Sequence, residues 1–259
     1  MAAWIASHPV GQQQKAIQAR QLYKDALAML YRLNRQGYKS HAIVGIFQAN
    51  AHGDDIFLSD GRRIPLLRQQ HNHPSEPCLC LSDFIIPVSI GRKDRIGVFA
   101  STTDAAVENS YPDDPYQHLL AQTLADRLAE ACIEKVHQHV RTTQWGYAPL
   151  EQFTPEELFA EKYQGIRPAV GYPSLPDQSL NFLLDDLIDF SAIGISLTEN
   201  GAMQPHASTS GLMLAHPAAR HFSIGTVGED QLIDYAKRRG ICVSSLNNFL
   251  MRKTTYSSF

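Results

Sequence analysis

The segment from Tyr163 to Pro173, with the sequence YQGIRPAVGYP, combines residue types that suit a ligand-binding loop. Its two prolines fix φ and its two glycines permit conformations closed to other residues, so the backbone is nearly rigid. The guanidinium of Arg167 is a planar fork that suits a carboxylate or phosphate, and the ring of Tyr172 can stack on a heterocycle. These features predict a binding loop, with an ordinary connection between helices as the alternative.

Three carboxylates are candidate partners for a cationic ligand. Asp126 and Glu130 lie four residues apart in a predicted helix, so both project from one face. Like charges at this spacing repel weakly, so the pair is either a solvated acidic stripe or a site for a cation. Asp83, beside a predicted strand, is either a residue that forms a turn or a ligand contact.

Four side chains that zinc could accept follow one another in the pattern H-x-H-x-x-x-x-C-x-C: His71, His73, Cys78 and Cys80. The spacing matches no common structural zinc site, and Pro74 and Pro77 restrict closure around a metal. We therefore predict that this segment holds no structural metal.

Composition indicates an ordinary cytoplasmic globule. The 259 residues are 44% hydrophobic and 19% charged, with a net charge of -3 and a pI near 6.4. This balance argues against nucleic-acid or membrane partners, which require clustered basic residues. The opening residues lack the pattern of a signal peptide, and no stretch is apolar for long enough to cross a bilayer. Four cysteines are few for this length, so we expect reduced thiols.

Periodicity predicts several helices and a set of short strands. The longest helix covers roughly 116–140, and a capping box at Thr154 starts a short helix before the loop. The other predicted helices are 22–33, 180–190, 230–239 and 244–250. The predicted strands are 42–47, 56–58, 64–67, 84–89, 96–100, and a pair formed by 212–214 and 222–224. Short turns between neighbouring strands favour an antiparallel sheet and the α+β class, in one domain over 1–259.

Several segments in order along the chain resemble one family. The loop resembles the R-x-P-x-x-G-Y-P motif of the S-adenosylmethionine-binding activation domain of cobalamin-dependent methionine synthase. The resemblance extends from about Leu22 to Leu250. The further matching segments are Ala49–Asp55 (with Asn50, Gly53, Asp54), Cys80–Phe84, Leu124–Ala131, Trp145–Pro149, Leu197–Glu199 and Asp234–Gly240.

The resemblance implies a fold, ligands and partners. It implies a single C-shaped domain with a twisted antiparallel sheet flanked by helices. It implies a module that supports the reductive methylation of cobalamin in methionine biosynthesis, with S-adenosylmethionine bound here and cobalamin carried by a partner domain or subunit. A flavodoxin-type protein would supply the electron, and the chain would be a methyltransferase component that is not catalytic alone.

The resemblance also assigns residues. Asp126 would contact the histidine released from cobalt, and Tyr172 would face the corrin. The residues implied to bind S-adenosylmethionine are Asp83, Glu130, Arg167, Ala169, Val170, Gly171, Tyr172, His221 and Phe222. The carboxylates would pair with the cationic groups of the ligand, and Arg167 with its carboxylate.

The chain departs from the family at two places. Where the family reads P-x-H-T-E-K after the loop, this chain has Gln178 in place of the histidine, and it has His221 where the family has tyrosine. A D-x-H-x-x-G motif that ligates cobalamin is missing, as is a glycine-rich nucleotide loop. One alternative is therefore a stand-alone relative that binds or regulates another corrinoid protein. A small-molecule enzyme, with or without zinc, is a further alternative.

Overall fold

The computed structural model describes residues 10–70 and 76–250, and its centre is a five-stranded antiparallel sheet. The strands are β1 (Ser40–His52), β2 (Asp55–Leu58), β3 (Arg63–Pro65), β4 (Asp94–Thr103) and β7 (Ser208–Met213), in the spatial order β3-β2-β1-β4-β7. A separate two-stranded ribbon joins β5 (Ser196–Leu197) to β6 (Met203–Gln204). The predicted α+β class is confirmed.

Helices cover both faces of the sheet. They are α1 (Val10–Arg35), α2 (Ala105–Glu108), α3 (Pro115–His139), α4 (Pro155–Phe159), α5 (Leu180–Ile188), α6 (Glu229–Arg239) and α7 (Val243–Phe249). A π-helical turn, Val140–Gln144, continues α3. None of the helices in the described part of the chain combines the length and apolar character needed to span a membrane.

Alternation along β4 explains the two layers of the core. Val98 belongs to the cluster formed with Leu184 of α5, whereas the neighbouring Phe99 packs with Ile133 of α3. Successive side chains of a strand point to opposite faces, so a continuous run of buried residues requires cover on both sides. The sheet therefore lies between α3 and α5.

The local signals of the sequence locate most elements correctly. Asp114 caps α3 by accepting a hydrogen bond from the Gln117 amide, and the capping box at Thr154 is present. Helix α1 starts before the predicted Leu22, and its end is followed by Gly37 with φ of 82°. The predicted hairpin turn joins β2 to β3 through Gly61.

The predicted strand over 84–89 is wrong. This segment forms two 3₁₀ turns, Leu81–Phe84 and Val88–Ile90, instead of a sheet ladder. The backbone of Ile86 is hydrogen-bonded to side chains: its amide donates to Asp94, and its carbonyl accepts from Asn50. Pro87 has no amide hydrogen to donate, which also disfavours a strand.

The predicted pairing of 212–214 with 222–224 is also wrong. Leu212 and Met213 belong to β7, which pairs with β4. The other edge of β7 is occupied by residues 166–170, so it cannot accept a further strand. Ile224 instead donates its amide hydrogen to the carbonyl of Pro173.

Candidate functional site

The predicted binding loop lies along the edge of β7 that does not pair with β4. Ile166 and Leu214 exchange two backbone hydrogen bonds, with N to O distances of 2.9 and 3.0 Å. Farther along, Leu212 donates to Pro168, and Val170 donates to Ser210. The loop is therefore held to the sheet by its backbone, so its position does not depend on its side chains.

Two glycines allow this close approach. A Cβ at Gly211 would overlap the carbonyl oxygen of Pro168 and lie 2.8 Å from the Cα of Ala169. Gly171 has φ of 87° and turns the chain back, with its amide donating to Leu175. Both conformations agree with the rigid loop that the sequence predicts.

The loop and α3 form the walls of a groove with a volume of about 650 Å³. Such a volume suits a ligand of nucleoside size. Six of the residues predicted to bind a ligand line it: Glu130, Arg167, Ala169, Tyr172, His221 and Phe222.

Arg167 is one of the two arginines that line this groove. Its side chain is 13% exposed, and its Nη2 donates to Glu134 Oε2 at 2.9 Å. Its Nη1 lies 3.7 Å from Glu130 Oε2. The guanidinium carbon is 5.8 Å from the ring centre of Phe99, which adds a cation–π contact. The guanidinium is thus fixed on one side and partly available on the other.

A smaller depression of about 210 Å³ shares Arg127, Glu130 and Tyr172 with the groove. Asp126 and Val170 line this second depression. Burial raises the pKa of Asp126, and the nearby carboxylate of Glu108 raises it further. Tyr172, 58% exposed, borders both depressions.

The structure does not bring every predicted residue to the groove. Asp83 lines another depression beside Gly53, and its carboxylate accepts two hydrogen bonds of 2.7 Å from Arg68. The amides of Val170 and Gly171 already donate within the protein. For Asp83, Val170 and Gly171, contact with a ligand stays a prediction.

Two further residues line the groove that the sequence did not predict as site residues, Glu161 and Arg127. Glu161 adopts φ of 50°, unusual for a residue with a side chain, and its Oε1 lies 3.8 Å from His221 Nε2. Its position just before the loop is the only signal in the sequence, because no spacing rule connects it with α3.

The predicted absence of zinc stays a prediction, since His71 and His73 lie outside the described residues. Cys80 is buried, which raises the pKa of its thiol to about 11. Within residues 10–70 and 76–250, no group of three or more potential metal ligands occurs.

Comparison with known proteins identifies the family. Residues 6–240 match the family model for the activation domain of vitamin B12-dependent methionine synthase. The chain belongs to this family. Methionine synthase is a methyltransferase, and its activation domain works with a domain that carries cobalamin.

A related domain of known structure is similar to this chain in both sequence and fold. The crystal structure of the MetH reactivation domain bound to AdoHcy matches with a TM-score of 0.87 and 36% sequence identity. The match covers 93% of this chain and 78% of that one. This activation domain and the MetH reactivation domain therefore have the same fold.

The two departures from the family pattern lie in different surroundings. His221 lines the groove of this activation domain, 42% exposed, opposite Glu161. Gln178 is half-buried, and its side-chain amide donates to the carbonyl of Gly201 at 3.4 Å. His221 can therefore influence ligand binding directly, whereas Gln178 packs against the turn at Gly201.

Proposed function

We propose that this activation domain binds S-adenosylmethionine in the groove and presents its methyl group to cobalamin on a partner domain or subunit. The observation that carries the proposal is that groups of both charges line the groove, the guanidinium of Arg167 and the carboxylates of Glu130 and Glu161. S-adenosylmethionine carries a carboxylate, an ammonium and a sulfonium, and so requires both signs of charge. The AdoHcy bound to the solved relative supports the same ligand class.

Each groove residue has a task that follows from its chemistry. Arg167 would hold the ligand carboxylate through charge-assisted hydrogen bonds. Glu130 and Glu161 would stabilise the ammonium and sulfonium, while Phe222 would pack on the adenine. No general acid or base is required, because a sulfonium is already an activated leaving group. The domain acts by positioning.

The partner supplies the reacting metal. Its cobalamin, reduced by one electron from a flavodoxin-type donor, would take the methyl group as the bond from carbon to sulfur breaks and the electron pair stays on sulfur. Tyr172 would face the corrin at the exposed end of the groove. Asp126, in the adjoining depression, would accept a hydrogen bond from the histidine that leaves cobalt.

Calorimetric titration with S-adenosylmethionine tests the binding site. Arg167→Ala should weaken binding by about 1.5–3 kcal/mol, the scale of a lost charged hydrogen bond, which is roughly 10- to 150-fold. Arg95→Ala, at an exposed arginine outside the groove, is the control and should bind like the parent. Equal affinities of the Arg167→Ala variant and the parent would remove this assignment.

Reconstitution in trans tests the reactivation role. This chain would be mixed with a synthase fragment carrying cobalt(II) cobalamin, a flavodoxin reducing system and S-adenosylmethionine, and methylcobalamin followed by absorbance. Formation should require this chain and decrease in Asp126→Asn, by an amount that reflects a contact of about 1–3 kcal/mol. Asp113→Asn, at an exposed aspartate outside both depressions, should leave the rate unchanged.

The same assay separates the alternative function. A relative that regulates another corrinoid protein would bind S-adenosylmethionine yet form no methylcobalamin. The observation that favours this alternative is His221, which places an imidazole beside Glu161 in the groove.

A further inference from the structure

Beneath the groove, charged side chains alternate in a line that ends at Arg167. Glu134 of α3 accepts a hydrogen bond from Arg167 Nη2 at 2.9 Å, and its other oxygen lies 3.9 Å from Arg141 Nη1. Arg141 is fully buried and donates two hydrogen bonds of 2.7 Å to Glu151. The order Glu151, Arg141, Glu134, Arg167 thus alternates in sign.

The inner part of this line is rigid. The guanidinium carbon of Arg141 lies 3.8 Å from the ring centre of Tyr163, and the Glu151 side chain is 2% exposed. A bidentate pair of arginine and carboxylate has a fixed geometry, and burial removes competing water. Arg141 is therefore a buried cation fixed by Glu151, and it attracts Glu134 by charge across 3.9 Å without a hydrogen bond.

Glu134 restricts the guanidinium that it contacts. With Nη2 bound to Glu134, Arg167 cannot rotate freely, and its Nη1 is left on the side of Glu130 and the groove. Arg167 Nε is buried and has no hydrogen-bond partner among the described residues. An arginine loses little entropy on binding when its planar fork is already oriented.

Glu134 restricts Arg167 although it lines neither the groove nor the smaller depression beside it. It carries a negative charge, so direct contact with a ligand carboxylate would be repulsive. Its formal charge is balanced between Arg141 and Arg167, which leaves the line neutral as a whole before any ligand is bound. Glu134 can therefore favour an anionic ligand group only through the orientation of Arg167.

We propose that Glu134 is a positioning residue for carboxylate recognition, and that Arg141 and Glu151 hold it in place. The proposal rests on the proposed function, because it takes the amino-acid end of S-adenosylmethionine as the group that Arg167 binds. It extends that function by assigning selectivity for the carboxylate to a side chain outside the groove.

The test compares two ligands that differ only in this carboxylate, S-adenosylmethionine and its decarboxylated analogue, by calorimetry. Glu134→Ala should weaken the binding of S-adenosylmethionine about tenfold, the scale of a lost hydrogen bond to a charged group. The affinity for the decarboxylated analogue should not change. Glu134→Gln keeps an oxygen acceptor for Arg167, so its affinity for S-adenosylmethionine should fall only about threefold. Glu156→Ala, at an exposed glutamate of α4, is the control and should change neither affinity.

A double-mutant cycle distinguishes positioning from a general structural role. If Glu134 acts through Arg167, adding Glu134→Ala to Arg167→Ala should cause no further loss of affinity for S-adenosylmethionine. Should Glu134→Ala not fold, the same cycle with Glu134→Gln gives the answer, because glutamine preserves the packing.

The outcomes separate this inference from the proposed function. Additive losses in the cycle, equal losses for both ligands, or unchanged affinity of Glu134→Ala for S-adenosylmethionine would overturn the role of Glu134 while leaving the site intact. A parent protein that binds no S-adenosylmethionine would overturn the proposed function, and this inference with it.

Discussion

His137 illustrates how burial determines the charge of a single residue. Its side chain is fully buried in α3, and neither ring nitrogen has a hydrogen-bond partner among the described residues. Its ring packs edge-on against Tyr163, with 5.2 Å between the centroids. Burial lowers its pKa well below 6.5, and the cations of Arg141 and Arg167 lower it further. The imidazole is therefore neutral in the folded protein.

This neutral histidine should make stability depend on pH. Because its pKa is lower folded than unfolded, the unfolded chain binds a proton that the folded protein does not, so stability is lost as pH falls below about 6.5. The contribution of His137 to the pH dependence of the unfolding free energy approaches about 1.4 kcal/mol per pH unit. Urea denaturation at several pH values between 7.5 and 5 measures it.

His137→Phe should remove the contribution of His137 to the slope of unfolding free energy against pH. Phenylalanine keeps a ring against Tyr163 but has no titrating nitrogen. His52→Phe, at an exposed histidine, is the control and should retain the slope of the parent. Identical slopes for His137→Phe and the parent would mean that the folded protein protonates His137 as readily as the unfolded chain does.

At the scale of elements, β7 and α3 together determine the geometry of the site. Asp126, Glu130 and Glu134 recur every four residues along α3, so all three project from the same side of the helix. The mutual repulsion of these carboxylates is offset by Arg167, which contacts two of them. The loop that carries Arg167 is held in turn by the edge of β7.

Gly211→Ala should displace the loop from β7. The added methyl would overlap the backbone of Pro168 and Ala169, which cannot rotate aside as a side chain could. We expect a loss of about 1–3 kcal/mol in unfolding free energy, as for other overpacked sites, and weaker binding of S-adenosylmethionine. Chemical denaturation and calorimetry measure the two effects.

Gly37→Ala is the matched control for this change. Gly37 has φ of 82° but no atom within 4 Å of an added Cβ. The substitution should cost about 1 kcal/mol of backbone strain and leave ligand affinity unchanged. If Gly211→Ala bound ligand as tightly as Gly37→Ala, the contact with β7 would not control the groove.

At the scale of the whole molecule, a buried polar contact joins the segment after the loop to α6. Asp177 is 1% exposed and accepts a hydrogen bond of 2.7 Å from the hydroxyl of Tyr235 in α6. Arg239 of the same helix lies 3.2 Å from this carboxylate. Helix α6 thereby holds the segment that follows the binding loop.

Tyr235→Phe should destabilise the protein by about 1–3 kcal/mol, because it leaves a buried carboxylate with one partner fewer. Tyr116→Phe removes the corresponding bond to Asp25, where the tyrosine is 48% exposed, and should cost little. Thermal or urea unfolding of the two variants gives the comparison. A similar small effect for both would show that burial does not strengthen the bond to Asp177.

Local patterns in the sequence predicted what depends on neighbouring residues. The capping box at Thr154, the long helix over Pro115–His139 and the turn at Gly61 all follow from residues within a few positions of one another. The rigid conformation of the loop is of this kind too, because proline and glycine restrict or release φ by themselves. The motif within the loop and the other matching segments along the chain together indicated the family.

Only the tertiary structure decided which distant groups meet. Residues 84–89 and 222–224 have the composition of strands, yet neither segment joins a ladder. Ile86 bonds the side chains of Asn50 and Asp94 and the amide of Ala51, Ile224 bonds the carbonyl of Pro173, and both edges of β7 are occupied. Asp83 pairs with Arg68, and Glu161 reaches the groove, although no spacing rule relates them to the loop. Local conformation depends on nearby atoms, whereas hydrogen bonding and charge pairing depend on which segments the packed core brings within about 3–4 Å. The sequence by itself therefore determined the conformation of the loop and the residue types that it carries, and the folded chain determined its neighbours.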